Sequence, residues 1–121
     1  MVGFGRGYDY ETMDDVKGTL SSLDLEVTQL MGFQEVVHRK KVDDFRKLLK
    51  KGVEFSPVGV FEVDSKSYYI AYLSFPDRID GGHHRAFAYF LEKRPLPIKV
   101  ISSPHYAPFD YCPIKDLKYW I

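Results

Sequence analysis

The spacing of hydrophobic positions changes several times along the chain, and each change marks an element. Over Lys41–Lys51, Val42, Phe45, Leu48 and Leu49 recur at helical spacing and share one face. Asp43 and Asp44 fall early in this helix, and Lys47, Lys50 and Lys51 fall late, as the helix dipole favours; Gly52 suits the position just past the end. Pro57–Val63 and Tyr68–Ser74 read as strands, and Asp64-Ser65-Lys66-Ser67 as the turn of a hairpin between them. His83–Leu91 reads as a second helix, with Phe87, Phe90 and Leu91 facing the sheet and Ala86 and Ala88 allowing close approach. Glu92–Pro95 is a loop, and Leu96–Ser102 a further strand.

Towards the N-terminus the pattern predicts a short helix over Thr12–Leu23, capped by Thr12, with Asp14 and Asp15 in its first turn and Gly18 weakening it. Leu23-Asp24-Leu25-Glu26-Val27-Thr28 alternates and reads as a strand. Met1–Tyr10, with glycines at 3, 5 and 7 and no strand before them, reads as a loose arm. Ser103–Pro113 should wrap the surface, and Ile114–Ile121 should close as a short helix or strand. The expectation is one α+β domain over residues 1–121, a small mixed sheet with packed helices, with 1–22 as arm and short helix.

Composition narrows the class. Aromatic residues make up 16% of the 121, which points to a packed domain rather than a tail. No apolar run approaches the roughly 18 residues of a membrane span, and no basic-then-apolar leader opens the chain. A lone cysteine, Cys112, leaves no internal disulfide, so a cytoplasmic protein is expected, with Cys112 as a packing residue. Net charge is zero but uneven: residues 38–51 hold seven Lys or Arg against two Asp, while residues 1–37 hold two against seven. That does not describe a dedicated duplex binder. The basic segment is first a solvated helix face, and second a patch for DNA or nucleotide phosphates.

Candidate chemistry concentrates in Asp80-Gly81-Gly82-His83-His84-Arg85. Two glycines lead straight into a helix, whose first N–H groups are unpaired and sit at the positive end of the dipole. Glycine lets a ligand approach that backbone, so a phosphate could be held there. Arg85 adds a planar fork suited to phosphate oxygens, the alternative being an ion pair with Asp77 or Asp80. His84 is a candidate phosphate donor or proton carrier, and His83 a candidate phosphoryl acceptor; either can instead be a structural histidine. Asp80 and Glu35 are carboxylates able to hold Mg²⁺ or activate a hydroxyl, or simply solvated acids. A metal held by Asp80, His83 and His84 together is disfavoured, because adjacent helical side chains point about 100° apart.

The box Asp80–Arg85 resembles the phosphate-binding box of the ParB/sulfiredoxin superfamily, which reads Gly-Gly-Cys-His-Arg in sulfiredoxins and Asp-Gly-His-His-Arg or Asp-Gly-His-Thr-Arg in ParB-like and free-serine-kinase-like members. Pro95–Val100 is similar to the strand that follows the box helix there. Upstream, Glu35-Val36-Val37, the helix ending at Gly52 and the Pro57-led strand resemble the same family's order, and Ile114–Tyr119 resembles its closing segment. His83 stands where sulfiredoxins carry cysteine, so sulfinic acid reduction is not expected; one glycine is extra, and the ParB box Gly-Glu-Arg-Arg is not matched.

The resemblance implies a ParB/sulfiredoxin-like fold that binds ATP or another nucleotide. Gly81, Gly82, His84 and Arg85 would bind it, Glu35, Asp80, His83 and His84 would act catalytically, and Asp80 would hold any Mg²⁺. The implied activity is phosphoryl transfer or phosphate-ester hydrolysis of the ATPase, kinase or nuclease type. The alternative is a non-enzymatic nucleotide- or DNA-binding module working with a partner protein, with DNA meeting segment 38–51. On either reading, the amides after Gly82 should border a cleft open to a phosphate.

Overall fold

The computed structural model describes residues 17–64, 66–72, 82–102 and 106–120. Among the described residues, eight strands, two helices and one 3₁₀ turn follow in the order β1 (Gly18–Leu23), β2 (Gln29–Gly32), β3 (Val36–Val37), α1 (Arg39–Lys50), β4 (Val58–Asp64), β5 (Ser67–Ile70), α2 (His83–Leu91), β6 (Leu96–Ile101), β7 (Cys112–Pro113), the 3₁₀ turn Ile114–Asp116, and β8 (Lys118–Tyr119). Six strands form one mixed sheet in the order β1-β6-β4-β5-β2-β7, while β3 and β8 pair in parallel apart from it. The α+β expectation holds at this level.

Hydrophobic periodicity located both helices and the strands β4, β5 and β6, but not β1, β2, β3 or β7. β4 and β5 form the expected antiparallel hairpin, with Val60 opposite Ile70. β4 then runs parallel to β6, with Val58 opposite Ile98, and this connection is made through α2. Both faces of β4 are covered over Val58–Phe61, which explains its unbroken apolar run. Val58, Val60, Ile70, Leu96 and Ile98 pack with Val42 and Leu49 of α1 and Ala86, Phe87, Ala88 and Tyr89 of α2. Each large apolar side chain buried there contributes about 1.5–3 kcal/mol. Phe61, Ala71 and Ile101, with Tyr69, make a smaller cluster on the other side of the sheet.

Both helices end in the same way. After α1, the Gly52 N–H donates to Leu49 O and the Val53 N–H to Leu48 O, with Gly52 at φ +87°. After α2, the Lys93 and Arg94 N–H groups donate to Phe90 O and Tyr89 O, with Lys93 in the left-handed region at φ +56°. Both patterns are Schellman closures, which satisfy carbonyls the helix leaves unpaired. The two helices are tied together by Arg46, whose Nε lies 2.6 Å from Glu92 Oε2, and by Arg94, which donates to Leu49 O at 2.7 Å.

Four expectations are corrected. Residues 24–28 are a turn and not a strand: Asp24 accepts the N–H of Glu26 on its side chain and those of Val27 and Thr28 on its carbonyl. An aspartate that bonds its own following backbone competes with strand pairing. Gly18–Leu23 is not helix but the strand β1, paired antiparallel to β6 from Gly18–Ile101 to Leu23–Leu96; residues 12–16 of the expected helix lie outside the described ones. β5 ends at Ile70, and of the rest of the expected 68–74 strand, 73 and 74 lie outside the described residues. α1 begins at Arg39, so Asp43 and Asp44 fall beyond its first turn; Leu48 is 37% exposed.

Candidate functional site

α2 starts at Gly82, which sits at φ +94°, a conformation glycine adopts without strain. Space is a second demand there, since a Cβ would lie 2.8 Å from Val58 Cγ1. The next two residues are both buried: His83 is 0% exposed and His84 1%. His83 Nε2 accepts the Phe33 N–H at 2.9 Å, and His84 Nε2 accepts the His38 N–H at 3.0 Å. An imidazole that accepts at Nε2 carries its proton on Nδ1 and is neutral. The two rings therefore grip segment 33–38 at its two ends, joining the end of β2 and the start of α1 to the start of α2. Gly32 makes room for one of them: a Cβ there would lie 2.6 Å from His83 Cδ2. Phe33 packs edge-on against His83 at 4.5 Å, and His38 stacks parallel to His84 at 5.8 Å.

The predicted residues are thus partly brought together. Glu35 lies midway along the gripped segment and is exposed, with its carbonyl accepting the Lys118 N–H at 3.0 Å. Arg85 is half-buried and donates through Nη1 to Ser56 O at 2.8 Å, so part of its fork fastens segment 55–57 to α2. Asp80 and Gly81, and with them the metal and half of the glycine assignments, lie outside the described residues, as does Asp77. Among the described residues no three His, Cys, Asp or Glu side chains gather as a metal site would need. Gly82, His83 and His84 are each buried, so the cleft expected over their amides is not seen at these described residues; Gly81 lies outside them. Two surface pockets, of about 360 and 230 Å³, lie elsewhere, beside the other end of α2 at Phe90 and the 24–28 turn.

The sequence reading took 38–51 as one basic segment and did not single out the start of α1. Arg39, Lys40 and Lys41 occupy its first turn, which has no acidic residue and no side-chain cap. Cations are disfavoured at that end of a helix, by about 0.3–1 kcal/mol each. Arg39 lies 4.0 Å over the Tyr119 ring, and Lys40 pairs with Asp44 at 3.1 Å in an exposed bridge. Further along, Arg46 and Lys50 converge on Glu92. The Arg46 bond holds the Glu92 carboxyl below its usual range. Parallel pairing of β3 with β8 brings Trp120 alongside: its N–H donates to Val37 O at 2.8 Å and its ring lies 6.3 Å from that of His38. The run Arg-Lys-Lys ahead of Val42 was visible in the sequence; starting the helix two residues late hid its place in the first turn.

Burial raises the Cys112 thiol above its ordinary value, and its Sγ donates to Gln34 O at 3.4 Å, which suits a packing role. Burial likewise pushes the Tyr89 phenol up, against the lowering effect of its bond with the Phe55 backbone. No protein-family model, curated protein or solved structure matches this chain.

Proposed function

We propose that this chain is a nucleotide-binding module, without catalysis of its own, that receives the ligand's phosphates at the start of α1 beside the box. The observation that carries this reading is the first turn of α1. Arg39 and Lys40 are exposed and Lys41 is half-buried, all three at the positive end of a helix where their charges oppose folding. A bound phosphate relieves that opposition and meets the unpaired N–H groups of the same turn. The likeness of Asp80–Arg85 to a phosphate-binding box supports the same ligand class. Arg46 and Lys50, engaged with Glu92, are drawn towards holding α1 on α2, which argues against DNA lying along the whole of segment 38–51.

His83 and His84 favour binding over chemistry. Both are buried acceptors of backbone N–H groups, and either would have to abandon its bond to carry a proton or a phosphoryl group. Glu35 favours the second reading, phosphoryl transfer or hydrolysis with Mg²⁺, because it is exposed on the segment that both histidines grip. Thermal shift with ATP and other nucleotides, with and without Mg²⁺, separates the readings together with a phosphate-release and plasmid-nicking assay. Ligand at about a hundred times Kd stabilises by about 2.7 kcal/mol, a clear rise in Tm. Expected are a rise that Lys40→Glu with Lys41→Glu abolishes, and no turnover. Turnover lost in Glu35→Gln would establish the enzyme. No shift with any nucleotide would overturn both.

A further inference from the structure

We infer that Trp120 is the base-stacking residue of this site, so that the ligand is recognised by an aromatic ring as well as by its phosphates. The inference rests on the reading of α1 as the phosphate site of a nucleotide and adds the residue that would hold the base. Trp120 is 63% exposed, although a tryptophan usually gives most of its surface to packing. Its position is nonetheless set: the backbone bond to Val37 and the β3–β8 pairing hold it next to His38, where α1 begins. The His84, His38 and Trp120 rings form a series leading from the buried box to the surface, with the first two parallel within 4°. Arg39, the first residue of α1, is held over the ring of Tyr119, the residue before Trp120. An exposed π-face beside His38, where a helix begins with Arg39, Lys40 and Lys41, fits a ligand that carries both an aromatic ring and negative charge. Inorganic phosphate, a sugar phosphate or a phosphorylated side chain has only the charge; a nucleotide has both.

Trp120 is the single tryptophan in the chain, so its emission reports this site alone. The test titrates the protein with ATP and, separately, with tripolyphosphate, reading tryptophan emission and calorimetric affinity, on wild type, Trp120→Ala and Trp120→Phe. Expected are quenching by ATP and not by tripolyphosphate, and about a tenfold loss of ATP affinity in Trp120→Ala, largely restored in Trp120→Phe. Tripolyphosphate affinity should be the same in all three. Equal ATP affinity in wild type and Trp120→Ala, with tripolyphosphate still bound, overturns the stacking role and leaves the phosphate reading standing. Equal losses for both ligands in Trp120→Ala overturn it as well, as damage to the fold. If neither ligand binds wild type, both readings fall.

Discussion

Gly32→Ala tests whether His83 is a structural group, since one methyl is aimed at its ring. The new Cβ would lie 2.6 Å from His83 Cδ2, 2.8 Å from Nε2 and 3.0 Å from Ile114 Cδ1. The ring has little room to retreat, being fully buried, bonded to the Phe33 N–H and packed edge-on against Phe33. Overpacking of this kind costs about 1–3 kcal/mol. If the ring moves instead, the Phe33 N–H loses its partner, which costs about 1–3 kcal/mol. Replacing glycine stiffens the unfolded chain and returns about 0.4–1 kcal/mol. The net expectation is a loss of about 1.3 kcal/mol, close to 5 °C in Tm for a chain of this size. Urea unfolding followed by circular dichroism measures it. His83→Ala alone should also destabilise, through a cavity and an orphaned N–H, but should cost much less in the Gly32→Ala background, because the clash it relieves is then present. A Gly32→Ala protein within about 0.5 kcal/mol of wild type, or a double variant whose losses simply add, would show that the ring yields easily, and the structural role would fail.

Lys93→Gly should stabilise by about 0.5–1 kcal/mol in the same unfolding assay, since Lys93 holds a left-handed conformation that costs a side chain more than glycine's extra chain entropy. Glu92→Gln should lose about 1 kcal/mol at pH 7, where its carboxylate binds Arg46. Because that bond lowers the folded pKa of Glu92, the contribution is complete above the unfolded value of about 4.3 and disappears as pH falls through the folded one; urea midpoints of wild type and variant should converge there. Cys112, with its thiol pushed up by burial, should react with a thiol reagent at pH 8 far more slowly in the native protein than in urea, and equal rates would refute its packing.

Much of the architecture was legible because it is local. Helical spacing and Gly52 located α1 to within two residues, and the compact run after Gly82 gave α2 its observed limits, His83–Leu91. The hairpin of β4 and β5 followed from alternation around a polar turn. β1 escaped the same reading because Gly18–Leu23 has no period of its own; only pairing with β6 makes it a strand. Leu23–Thr28 misled in the opposite sense, since its alternation is real but Asp24 bonds the backbone that a strand would need.

Residue types at the box were enough to single out His83, His84 and Arg85, but not to say what they face. A histidine in sequence is donor, acceptor, acid or base; which of these it is depends on the groups within about 3 Å of each nitrogen. For His83 and His84 those groups are the N–H of Phe33 and of His38, fifty and forty-six residues away along the chain. The proposed site at the start of α1 depends on distance in the same way: Trp120 reaches His38 only because β8 pairs with β3. Local spacing determines which segments coil or extend, since those preferences are set by neighbours along the backbone. Burial, tautomer and partnership belong to contacts between distant segments, and these exist only once the chain has packed.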